Sequence, residues 1–161
     1  MTEMMSELRH DAPTTNKKTK VTVTATPLSA APWVSFAMNA DYPNKGGKQQ
    51  GDELDFDAQA GPFDLRFDLE DQTSLGLAFY PDFADAMWVV EGYDCPTGPG
   101  NGNGAITPQS VTDKRLTVTN QNAVGQTLTF ALRFTGATTG QSAPPYVFDP
   151  RIVNGGGGGL R

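Results

Sequence analysis

The chain has 161 residues and a formal net charge of −6, with 37 % hydrophobic and 19 % charged residues. That length suits one domain with a real core and no disulfide staples. The acidic balance argues against nucleic acid and anionic membrane surfaces, which need clustered Lys and Arg, and no apolar run is long enough to cross a bilayer.

Residues 1–18 are polar, mixed in charge and without sustained period, and read as a flexible tail. The segment lacks the apolar core of a secretory signal, so the expected location is cytoplasmic. From residue 19 the period switches to two. In "KVTVTAT" Val21, Val23 and Ala25 face one way and the threonines the other, the pattern of a half-buried strand. "PWVSFAMN", 32–39, is more continuously apolar and predicts a central strand buried on both faces. "DYPNKGGKQQGD", 41–52, reads as turns.

Alternation returns in "ELDFDA", 53–58, and "FDLRFDLE", 63–70. Paired as a hairpin, these would present Asp55, Asp57, Asp64 and Asp68 on one face, beside Asp52, Glu53, Glu70 and Asp71. Such a face could take calcium or supply an acid/base pair for hydrolysis. No D-x-D-x-D-G loop is present, and a solvated strand face is the preferred reading. "SLGLAFYP" and "AMWVVEG" predict two further strands, separated by "DFAD". "KRLTVTN", "QTLTFALRF" and "PYVFDPRIVN" complete the set, the last two joined by "TGATTGQSAP".

Between the strands at 86–92 and 114–120 lies "EGYDCPTGPGNGNGAITP", 91–108. A phosphate loop needs its glycines between a strand and a helix N-terminus, yet an extended segment follows, with Pro108 in it. The run therefore reads as a long connection crossing between sheets. Cys95, the only cysteine, is a poor candidate nucleophile. Its near neighbours Glu91 and Asp94 are acidic, and the one histidine, His10, lies in the tail. The scarcity of histidine also removes a Ser-His-Asp triad and most zinc or copper sites. No metal or cofactor is expected. One feature of this loop has binding chemistry: Tyr93, with Asp94, Asn101 and Asn103, offers an aromatic platform and polar partners of the kind that hold sugars.

About eight strands with turn signals every eight to twelve residues, and no helix of ten residues among them, predict a single all-β antiparallel sandwich over 19–154. The Gly-rich end, 155–161, reads as a second flexible tail. The ending "KRLTVTNQN…TLTFALRFTG…PYVFDPRIVNGG" resembles that of small bacterial immunoglobulin-like sandwich proteins of the DP-EP group. Phe148, Asp149, Pro150, Ile152 and Asn154 match the first part of that ending, and "GGGGGLR" stands where its Glu-Pro half would be. The resemblance implies an immunoglobulin-like fold and no activity. Proline at 150 removes a ladder donor and predicts a bend in the last strand.

The functional expectation is a non-catalytic binding or interaction module with its site on loops at one end of the sandwich, its ligand contacts being Tyr93, Asp94, Asn101 and Asn103. Its partner would be a protein or a glycan, the latter making it a carbohydrate-binding module. Self-assembly into a homo-oligomer through an exposed edge strand is the structural alternative.

Overall fold

Alternation does most of the work in the first sheet. Val21, Val23 and Ala25 of β1 (Lys17–Pro27) and Phe63, Leu65, Phe67 and Leu69 of β5 (Phe63–Asp71) are buried, and their intervening polar neighbours are not. The structure, a computed structural model, describes residues 16–136 and 145–155. The remaining elements are β2 (Val34–Asp41), β3 (Gly47–Gln50), β4 (Glu53–Phe56), β6 (Ala78–Phe79), the one-turn helix α1 (Phe83–Ala86), β7 (Met87–Glu91), β8 (Ile106–Val111), β9 (Arg115–Asn120), β10 (Thr127–Thr135), β11 (Tyr146–Phe148) and β12 (Arg151–Asn154). The expected tails at 1–18 and 155–161 lie almost wholly outside the described residues. β1 starts at Lys17, ahead of the expected domain boundary at residue 19.

The chain is all-β and forms two mixed sheets. The first runs β2-β1-β5-β9-β8. In the second, β10 pairs with β6, β7, β11 and β12, while β12 pairs with β4 and β4 with β3. The inner faces meet in a common apolar core. Phe67 lies 5.6 Å from Phe130, Phe36 5.2 Å from Phe134 and Phe56 4.6 Å from Phe63, each pair joining the two sheets.

Several expectations need correction. The described residues hold twelve strands, where about eight were expected. The last predicted strand splits at Asp149-Pro150 into β11 and β12, yet both stay in one register against β10: Leu132 faces Phe148 and Leu128 faces Ile152. The Pro150 carbonyl still accepts from the Phe130 amide at 3.0 Å, so proline costs the ladder a donor and not an acceptor. β3 forms inside a stretch read as turns.

Pairing is also not antiparallel throughout. β1 with β5 and β4 with β12 are parallel, because the chain visits the opposite sheet before returning beside its earlier strand. β2 is an edge strand buried on one side, not a central one: Val34 and Met38 are buried and Phe36 and Ala40 half-buried, while Ser35, Ala37 and Asn39 are exposed. Finally, 53–56 and 63–71 belong to different sheets, so no carboxylate hairpin forms. No helix among the described residues is long and apolar enough to cross a membrane.

Candidate functional site

The glycine-rich run links β7 of the second sheet to β8 of the first and lies along the second sheet. Its distal half closes the free side of β7: the Val89 amide donates to Gly100 O at 2.9 Å, and the Gly102 amide donates to Val89 O at 3.2 Å. Gly102, at φ +70°, is required there, since a Cβ would lie 3.1 Å from both Leu128 Cδ2 and Val89 Cγ1. Its proximal half turns over the sheet's outer face, where Thr129 Oγ1 donates to Gly92 O at 2.8 Å.

The four residues picked out from the sequence have different partners along this path. Asn101 accepts from the Gly104 amide at 2.9 Å and shapes its own turn. Asn103 donates to Glu91 Oε1 at 3.1 Å. Glu91 also accepts from Gln126 at 2.7 Å, and these two hydrogen bonds hold its carboxyl below the usual range. Asp94 is exposed. Tyr93 goes elsewhere: its ring, 65 % exposed, lies against the Arg151 guanidinium, whose carbon is 4.7 Å from the ring centroid.

Arg151 opens the site that sequence reasoning missed. It stands on β12 between Thr129 of β10 and Glu53 of β4, with its Nη1 3.9 Å from Glu53 Oε1. With Gln50, Asp52, Glu53 and Asp149 it lines a surface cleft of about 210 Å³. Burial pushes the Asp149 carboxyl up from its usual range, against the hydrogen bond it receives from the Cys95 thiol. The Tyr93 ring against Arg151, with the carboxylates and an amide along the cleft that Arg151 lines, gives stacking plus donors and acceptors. Alternation places Arg151 and Glu53 outward, but only sheet pairing makes two residues almost a hundred positions apart into neighbours.

The carboxylates once expected together are dispersed. Asp55 is buried on the second sheet, while Asp64 and Asp68 lie on the first sheet's outer face among Lys18, Arg66 and Arg115. Among the described residues no group of three or more His, Cys, Asp or Glu is placed to hold a metal ion.

No family model matches the chain, and no curated protein does. Among solved structures it is similar to an inclusion body protein (PixA) from Burkholderia cenocepacia J2315, at 7 % identity over 89 % of this chain and 99 % of that one. The TM-score is 0.42, too low to carry an argument about either fold detail or function.

Proposed function

We propose that the protein is a non-catalytic binding module and that its ligand is a glycan held at Tyr93 and the Arg151 cleft. One observation carries this reading: an exposed tyrosine ring, backed on one side by a guanidinium, beside a cleft lined by Gln50, Asp52, Glu53, Asp149 and Arg151. Sugars present apolar C–H faces that stack on aromatic rings and hydroxyls that both donate and accept. A rigid ring beside mixed donors and acceptors meets both needs at little entropic cost. The site thus moves from the loop tip at one end of the sandwich to the outer face of the second sheet.

The guarded strand edges support ligand binding over strand-to-strand assembly. Pro108 and a bulge interrupt β8, and Gly100 and Gly102 bond to the outer side of β7. On the fold, we favour an immunoglobulin-like sandwich, supported by the two stacked sheets and the DP-EP-like ending around Asp149 and Pro150.

The test is a glycan array followed by titration calorimetry on the oligosaccharides retained. Tyr93→Ala is expected to abolish retention with no change in melting temperature, and Tyr93→Phe to preserve it, since the ring does the stacking. Retention unchanged in Tyr93→Ala would remove the site. An array with no signal, alongside capture of a single partner protein, would replace the glycan with a protein ligand.

A further inference from the structure

The outer face of the first sheet carries a second groove, of opposite character and independent of the Tyr93 cleft. Its volume is about 410 Å³, and Lys18, Lys20, Arg66, Gln109 and Thr117 stand along it with Asp41 and Asp64. Strand register explains how they meet. Lys20 of β1 lies between Asp41 of β2 and Arg66 of β5, and Arg66 lies next to Thr117 of β9.

The charges here are unevenly matched. Asp64 is fully engaged: Asn16, Thr119 and Gln109 donate to its Oδ1 at 3.0 Å each, and Lys18 to its Oδ2 at 3.3 Å. Lys18 is thereby neutralised. Arg66 Nε donates to Asp68 at 3.2 Å, but Asp68 is shared with Arg115, which binds it more closely at 2.7 Å. Lys20 forms no ion pair among the described residues, although Asp41 is its cross-strand partner. Lys20 and Arg66 are register partners in the parallel β1–β5 pair, so two cations stand side by side, with Asp41 next to Lys20 and Asp68 bonded to Arg66.

We propose that this groove binds a tetrahedral oxyanion, phosphate or sulfate, between Lys20 and Arg66. An ammonium supplies a point charge and a guanidinium a planar pair of donors, the combination that phosphate and sulfate oxygens accept from best. Thr117 adds a hydroxyl at the Arg66 side, while Asp41 repels an anion from the β2 side and so biases it towards Arg66. The volume exceeds that of a bare ion, leaving room for a small organic group esterified to it.

The experiment is a titration of the ¹⁵N-labelled full chain with sodium sulfate, sodium phosphate and glucose 6-phosphate at constant ionic strength, following backbone amide shifts. Saturable shifts confined to β1, β5 and β9 are expected, with affinity falling about tenfold or more in Lys20→Gln and in Arg66→Gln. Binding should weaken as sodium chloride is raised. Tighter binding of glucose 6-phosphate than of the inorganic ions identifies an ester as the ligand; equal binding identifies the free ion. Lys20→Gln, at an exposed position, should melt at the wild-type temperature or above, so a loss of binding there is not a loss of fold. Shifts that never saturate, or that persist unchanged in Lys20→Gln, overturn the proposal.

Discussion

The side-chain amide of Gln49 completes the hydrogen bonding of the β2 edge at Ala40. It accepts from the Ala40 amide at 2.6 Å and donates to Met38 O at 2.9 Å and to Gly51 O at 2.7 Å. Gln49 belongs to β3 in the second sheet and Ala40 to the first, so one side chain ties the sheets together along an open side of the sandwich. It also occupies backbone groups that would otherwise be free to pair with another strand.

Gln49→Ala is accordingly expected to lower stability by about 1–3 kcal/mol, from the loss of part-buried bonds to backbone groups. It should also promote association. A urea midpoint measures the first and light scattering over a concentration series the second. A variant unchanged in both would show that the edge needs no such cover.

Asn120 and Asn154 form a reciprocal amide pair across the core, at 2.8 and 3.0 Å, and both are fully buried. Asn120 also accepts from the Asn122 amide, and Asn122 donates to the carbonyls of Asp57 and Gly61. Asn154→Leu strands the partner amide and should cost about 1–3 kcal/mol. The double variant Asn120→Leu/Asn154→Leu should lose less than the sum of the two singles, because it leaves no orphan from the pair. Additive losses in chemical denaturation would mean that the two amides do not act as a unit.

Gly102 and Gly104 separate close packing from backbone strain. Both have positive φ, +70° and +86°, but a Cβ meets Leu128 and Val89 at Gly102 and open space at Gly104. Gly102→Ala should cost about 1–3 kcal/mol and Gly104→Ala distinctly less. Melting temperatures in the reverse order would count against the pairing of the loop with β7.

Asp71 predicts a pH dependence. Burial acts to raise its carboxyl, but the hydrogen bonds from Thr73 and the Leu77 amide, with the charge of Lys114, outweigh it and hold it below the ordinary 3.8. A folded-state value below the unfolded one gives stabilisation that is complete above about 3.8 and lost as the pH falls through the folded value. Asp71→Asn should therefore cost roughly 1 kcal/mol at pH 7, the solvent-screened size for such bonds. The difference from the parent should shrink as the pH falls below 3.8 and through the folded value. A constant difference across that range would assign the effect to packing.

What was legible in the chain were properties of single strands. Period-two alternation in 20–26, 53–58 and 63–70 marked their inward faces, because a pleated strand sends successive side chains to opposite sides. Tyr93 stood out because a tyrosine in a Gly/Pro run has no strand face to be buried on, and it is indeed largely exposed. Its partners did not stand out. Arg151, Glu53 and Gln50 each read as an ordinary polar position on a short strand.

The chain by itself determined an all-β fold, the inward faces of the strands at 20–26, 53–58 and 63–70 and the interruption at Pro150, all of them consequences of local sterics and local pattern. Only the tertiary structure decided which strands share a sheet, and with that decision split the expected carboxylate hairpin between two sheets. It set Lys20 beside Arg66, joined Asn120 to Asn154, and brought Arg151 against Tyr93. Alternation specifies which side of a strand is buried but not which strand lies beside it; that choice depends on how two whole apolar faces fit together, a property no short stretch of sequence contains.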